Sequence, residues 1–387
     1  MLSRPAHRPK QATQETWEQA SSSSSSIISL VDFSLLADNE FVDDAVRNAH
    51  KVYEHLIALW APAILEAAYD LRVFEGLARG PLQSKELAKM LQIEERGMRI
   101  LLDALYTYRF IERTLTRDDE HIYSLTPDMQ QCLVQGELYS LVGKFIYDRR
   151  LAWDAWQNLA QAVRTGSGQS GCYSQNQISE ADYQFLVGGI NFWAPPAISA
   201  LCRGLHEIEW STEKAVSVLD VGCGTGLYSQ LLLQKFPHWT AQGLDSERIA
   251  PLALAQSKQL EVDTRFTCTV CDLWQHDWGE NQDLILFANI FHLQNRESAQ
   301  QLLSLAARSL AKNGLICIID HILDEHRSAN TPQSRFALLF AASMLATGGG
   351  DAYTTKDFDD WLGVAHLRRL EIWNTPMHRI LIATHDS

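Results

Sequence analysis

From Val218 the chain reads Val-Leu-Asp-Val-Gly-Cys-Gly-Thr-Gly, an apolar run closed by glycines at 222, 224 and 226. Residues without a Cβ permit a tight turn and let backbone amides come close to a ligand, so this turn is a candidate binding loop. Its G-x-G-x-G spacing differs from the G-x-G-x-x-G of dinucleotide sites. Asp220 lies in the strand that feeds the turn. Asp245 ends the next apolar run, where a carboxylate can accept hydrogen bonds from both hydroxyls of a ribose. A third run ends in Cys271-Asp272-Leu273-Trp274, a second acid with apolar flanks.

The elements that must position these residues follow from periodicity. Apolar runs at 216–221, 240–244, 265–270, 284–288 and 315–319 alternate with helical patterns at 228–235, 249–258 and 298–311. This rhythm predicts a parallel sheet with helices on both faces. A helix at 334–345, glycines at 348–350, a helix at 355–364 and strands near 367–373 and 377–384 complete the chain. Upstream, one long helical pattern with a broad apolar face runs through 41–68. In 73–125 two short helices, the first capped by Ser84, precede two strands joined by a charged turn, the pattern of a winged helix. Residues 134–205 are helical with a polar, glycine-rich break at 166–171. The segment 183–193 sets aromatics beside glycines, which suits core packing or a wall for a planar ligand. Residues 1–40, with serines at 21–26, form an unstructured tail in this reading. The expected domains are therefore 1–40, 41–205 and 206–387.

The 387 residues are 46% hydrophobic and 21% charged, which places the chain among globular proteins of two or three units. No apolar stretch runs uninterrupted for the ~20 residues of a membrane span, and the first residues lack the apolar core of a signal peptide, so a cytoplasmic protein without a membrane partner is expected. Thirty-three basic against forty-seven acidic residues give a net charge of −14, which opposes attraction to phosphate backbones. The second helix of the winged helix carries Glu94, Glu95 and Asp103 beside Arg96 and Arg99 and is close to neutral. That favours a dimerisation scaffold over nucleic acid. The seven cysteines, at 132, 172, 202, 223, 268, 271 and 317, read as small core residues, and Cys268 and Cys271 stand on a strand where positions three apart face opposite sides. No carboxylate cluster is left over for a divalent cation, so no metal is expected.

With the glycine turn, Asp245 and Asp272 in order at three strand ends, the chain resembles the class I S-adenosylmethionine-dependent methyltransferases. The resemblance implies that the 222–226 turn lies beside the methionine moiety of the cofactor, with Asp220 among the cofactor-binding residues. It also implies that Asp245 holds the ribose and that Asp272 and Leu273 border the adenine. From about residue 45 to its end the chain is similar to the small-molecule O-methyltransferases with an N-terminal winged-helix dimerisation domain, the branch of plant caffeate and isoflavone enzymes and bacterial polyketide-tailoring enzymes. This branch implies an α/β fold, a Rossmann-like methyltransferase sheet preceded by a mostly α-helical winged-helix dimerisation domain. It further implies a homodimer, a small-molecule substrate and S-adenosyl-L-methionine as cofactor. Its catalytic histidine corresponds to His292, and Asp320 stands where the branch usually has a glutamate. Phe192, Trp193, Phe291 and Met344 are expected to line the substrate pocket.

Methyl transfer is an in-line displacement, so alignment is most of the protein's task. A hydroxyl acceptor must also lose its proton, and a neutral histidine, with an ordinary pKa of roughly 6.5, can take it while a carboxylate steadies the imidazolium. The branch's His-Asp-Trp is His292-Leu293-Gln294 here, its lysine four positions earlier is Ala288, and its second glutamate is Ala352, with Asp351 beside it. The first reading is methylation of a hydroxyl on a hydrophobic or aromatic small molecule of specialised metabolism. The alternatives are C-methylation of an enolisable acceptor, such as a 2-oxo acid or a tetrapyrrole carbon, and a winged-helix transcription regulator.

Overall fold

The computed structural model describes residues 29–36, 41–168, 180–210, 212–347 and 350–386. Cys172, the serines at 21–26 and most of the expected tail lie outside the described residues. Internal contacts divide the chain into one unit ending at Glu137 and another beginning at Leu138.

In the first unit α1 (Asp44–Ile57) is capped by Asp43, whose carboxylate accepts the Val46 N–H at 2.8 Å. The helix stops before α2 (Trp60–Asp70), so the single long helix expected over 41–68 is two. Pro62 supplies the reason: it has no N–H for the carbonyl of residue 58 and is tolerated only in the first turn of a new helix. Then come α3 (Val73–Leu77), β1 (Leu82–Gln83), α4 (Ser84–Leu91), α5 (Glu95–Thr107), β2 (Glu112–Leu115), β3 (His121–Ser124) and α6 (Pro127–Leu133). Ser84 is the first helical residue, not the cap; the Gln83 N–H donates to Glu86 Oε2 at 2.9 Å and closes the turn one residue earlier. The three strands pair antiparallel in the order β1-β3-β2. Leu87, Met98, Leu102, Leu105 and Tyr123 are buried between sheet and helices, a winged-helix arrangement.

The second unit opens with α7 (Val142–Tyr147), α8 (Trp153–Gln157), α9 (Leu159–Thr165), α10 (Glu180–Gly189) and α11 (Ala194–Glu207). The sequence reading grouped these helices with the N-terminal domain. Their contacts place them in the unit that holds the large sheet, and Ala197, Leu201 and Leu205 of α11 share its core. Residues 183–207 are long and apolar enough to cross a membrane by composition, and the apolar side of α11 is spent on this core. The backbones of α7 and α10 touch at Gly143 and Gly189, where any side chain would strike the facing main chain.

The remaining elements are β4 (Ser217–Val221), α12 (Leu227–Lys235), β5 (Thr240–Asp245), α13 (Ala250–Gln259), β6 (Phe266–Val270), β7 (Gln282–Ala288), α14 (Arg296–Ser309), β8 (Leu310–Asp320), α15 (Pro332–Thr347), α16 (Thr355–Val364), β9 (Leu367–Asn374) and β10 (Arg379–His385). They form a seven-stranded sheet in the order β6-β5-β4-β7-β8-β10-β9. The first five strands are parallel, while β10 runs antiparallel to β8 and β9, so the sheet is mixed at one end. The period of two splits the core: Val218, Leu284, Leu286 and Cys317 face one layer, and Leu219, Ile285, Phe287 and Ile316 the other. Strand order reverses between β4 and β7, which opens a crevice beyond the carboxyl ends of the strands.

Candidate active site

On one side of that crevice lies the glycine turn. Gly222, Gly224 and Gly226 all hold positive φ, at 67°, 58° and 73°. The amides of Gly222 and Cys223 both donate to the Leu244 carbonyl, at 2.8 and 3.2 Å, and tie the turn to β5. A Cβ at Gly222 would meet Ile290 at 2.5 Å, so only glycine fits the turn against its floor.

Asp245 stands at the end of β5 with both carboxylate oxygens aligned. Oδ2 accepts the Gly224 N–H at 2.9 Å and keeps a lone pair for a ligand hydroxyl, while Oδ1 accepts both the N–H and the hydroxyl of Ser246, at 2.7 and 3.3 Å. Burial raises this carboxyl above its ordinary range against the pull of the two amides. Above it, Tyr183 of α10 lies under the Arg248 guanidinium, 4.3 Å from its ring, and Gln184 Nε2 donates to the Arg248 carbonyl. Leu273 approaches the turn from the next strand end, and Asp272 is exposed at the rim with Oδ1 accepting the Trp274 N–H. Asp220 is placed differently from the other cofactor candidates. It is fully buried and accepts the Ser229 hydroxyl at 2.6 Å; burial pushes its carboxyl up to about 7 against that bond, and the Asp245 charge adds to the rise. Asp220 thus braces α12 behind the turn.

On the other side stands His292, in a short 3-10 turn after β7. Its Nδ1 lies 2.7 Å from Asp320 Oδ1, at the end of β8, and both residues are buried. Asp320 Oδ2 accepts the backbone N–H of Phe291 and of His292, and Oδ1 accepts that of His321. Burial alone would raise the Asp320 carboxyl, but the charge and hydrogen bond of His292 and these amides hold it well below the usual carboxylate range. An ionised carboxylate only accepts, so Nδ1 carries the proton and Nε2 keeps its lone pair. Asp351 is not the supporting acid: its amide holds the His292 carbonyl at 3.1 Å, while its carboxylate faces Arg327.

Around His292 the structure gathers residues that sequence reasoning missed. Phe340 of α15 meets the His292 ring edge-on at 4.9 Å. His321 lies 5.6 Å from His292 and stacks on His378 at 4.4 Å. His378 Nε2 bonds Asn289 Oδ1 at 2.9 Å, and Asn289 donates in turn to the Tyr228 hydroxyl. Of the expected pocket residues, Trp193 packs edge-on against His321 and His378, and Phe192 is partly exposed beside it. Met344 is half-buried one helical turn beyond Phe340, on the same face of α15. Phe291 is a correction. It is wholly buried among Phe287, Phe358 and Trp361 in the layer behind the sheet, because the 3-10 turn sends it inward and His292 outward.

These groups fit S-adenosylmethionine in kind: a glycine turn that leaves its backbone open, a carboxylate held by main-chain amides, and an apolar residue beside an exposed acid at the next strand end. Residues 53–134 match the O-methyltransferase dimerisation domain family, and residues 218–314 match a methyltransferase domain family. The tetracenomycin polyketide synthesis 8-O-methyl transferase of Streptomyces glaucescens is 25% identical over 327 residues, covering 83% of this chain and 91% of its own. Acetylserotonin O-methyltransferase of Bos taurus is 25% identical over 318 residues, covering 79% and 88%. In fold, the crystal structure of human N-acetylserotonin methyltransferase in complex with S-adenosylmethionine superposes with a TM-score of 0.76 at 20% identity, over 90% of this chain and all of that one. By its O-methyltransferase dimerisation domain, its methyltransferase domain and its O-methyltransferase relatives, the chain is an S-adenosylmethionine-dependent methyltransferase.

Proposed function

We propose that this enzyme methylates a hydroxyl on a hydrophobic, aromatic small molecule, with His292 as general base, Asp320 as its orienting acid, and the cofactor held by the 222–226 turn, Asp245, Asp272 and Leu273. The observation that supports the reading most is the buried His292–Asp320 pair at the strand ends beside the glycine turn. When bound, S-adenosylmethionine supplies a methyl group on a positively charged sulfur, open to displacement by a positioned nucleophile.

His292 Nε2 takes the hydroxyl proton as the oxygen attacks, and Asp320 stabilises the imidazolium that forms. The three backbone amides fix the Asp320 carboxylate, so the base is oriented before substrate arrives. Phe336, Phe340 and Trp193 give flat apolar walls that exclude water and suit an aromatic ring. A homodimer rests on the dimerisation domain and on Val52, Tyr53, Leu56, Leu59 and Trp60, exposed apolar residues along α1 and the start of α2. The test is methylation of 2,3-dihydroxynaphthalene with isotope-labelled cofactor. NMR of the product should show the new methyl on oxygen; a methyl on ring carbon would favour the C-methyltransferase reading.

A further inference from the structure

His321 and the indole nitrogen of Trp193 stand out as buried polar groups with no hydrogen bond among the described residues. His321 is 2% exposed, and neither of its ring nitrogens makes a hydrogen bond; the Trp193 indole N–H is equally buried and equally unpartnered. Buried polar atoms are nearly always bonded, so each exception calls for a partner such as a ligand, an ordered water or an ion. The two rings meet edge to face at 5.4 Å, and His321 lies 5.6 Å from His292. His321 therefore adjoins the proposed base, and Trp193 adjoins His321.

We infer that His321 and Trp193 form a polar subsite for a second hydroxyl on the acceptor, next to the hydroxyl that is methylated. This deepens the proposed function and rests on it. The chemistry of the two groups selects the ligand. The Trp193 N–H can only donate, so it needs an oxygen lone pair. Burial keeps the His321 imidazole neutral, with one donor and one acceptor nitrogen. The Met377 backbone favours a proton on one ring nitrogen, and the other is left as acceptor. A hydroxyl answers both needs at once: it accepts from Trp193 and donates to His321. Phe336 and Phe340, at 4.9 and 4.1 Å from His321, supply apolar walls for the planar ring that bears it. The 5.6 Å spacing of His321 from His292 suits two neighbouring hydroxyls, as in a vicinal aromatic diol.

The test compares 2,3-dihydroxynaphthalene, 2-naphthol and 3-methoxy-2-naphthol by calorimetry on the full-length protein saturated with S-adenosylhomocysteine, and by steady-state kinetics. The diol should bind roughly tenfold tighter than either mono-ol, since a site built to bond a hydroxyl rejects analogues lacking it. His321→Phe and Trp193→Phe, each keeping an aromatic ring, should bring the three ligands to within about threefold, chiefly by raising KM for the diol. Either variant alone suffices if the other does not fold. Equal binding of diol and mono-ol by the unaltered protein, a preference that survives in a folded variant, or no binding of any probe overturns the subsite. Preferential diol binding with no methyl transferred to oxygen would instead leave the subsite standing and reject the proposed function.

Discussion

His292 and Asp320 face each other across neighbouring strand ends, with Nδ1 2.7 Å from Oδ1 and both side chains buried. The bond fixes the tautomer, and the carboxylate is itself fixed by three main-chain amides. Because the acid is ionised before the base takes up a proton, the pair can stabilise an imidazolium with little rearrangement.

Asp320→Asn tests the acid. An amide can donate as well as accept, which favours the wrong imidazole tautomer, and it carries no charge to stabilise the imidazolium. We expect kcat to fall by roughly 10²-fold or more while cofactor affinity holds. An unchanged kcat would remove Asp320 from the mechanism.

Asp245→Ala should weaken cofactor binding without unfolding the protein. It removes an acceptor for two hydroxyls, and hydrogen bonds to a charged group contribute about 1.5–3 kcal/mol each. Calorimetry with S-adenosylhomocysteine should show affinity reduced roughly tenfold or more. Retained affinity in a folded variant would place the ribose elsewhere.

The fold was legible in the sequence wherever period and punctuation agree. Apolar runs ending in Gly222, Asp245 and Asp272 gave the strand ends, because parallel strands buried on both faces need continuous apolar residues. The helix break ahead of Pro62 is legible in the proline itself, which cannot donate to the residue-58 carbonyl. The partners of the base were not readable in the same way. His378 reaches His321 only because β10 returns antiparallel, pairing Arg379 with Asp320, a register no local pattern encodes. Phe291 misled because a three-residue 3-10 turn sends consecutive side chains in opposite directions, where helical or strand periodicity says nothing.

Acid should destabilise the protein through its buried histidines. Burial lowers His378 from 6.5 to about 4, and His321 is also pushed well below 6.5. Between these values the unfolded chain binds the proton and the folded one does not, so stability falls as pH drops from 6.5 towards 4, at up to about 1.4 kcal/mol per pH unit for each histidine. Thermal unfolding across that window should show the decline, and His378→Asn should flatten it. An identical slope in the variant would assign the decline to other groups.

Leu56 and Trp60, 67% and 52% exposed, should be covered by a second copy of the chain. Light scattering of the full chain should give twice the monomer mass, and Leu56→Asp with Trp60→Asp should shift it towards monomer. A monomeric parent protein would contradict the dimer.

The most direct measurement of the central claim is the single-turnover rate of His292→Ala with cofactor saturating, on an acceptor that the unaltered enzyme methylates on oxygen. A positioned base contributes roughly 10²–10⁴-fold, so the rate should fall by that factor while calorimetry shows cofactor affinity unchanged. A rate within about twofold of the parent, or a loss confined to KM, would mean that His292 lines the pocket without taking the proton.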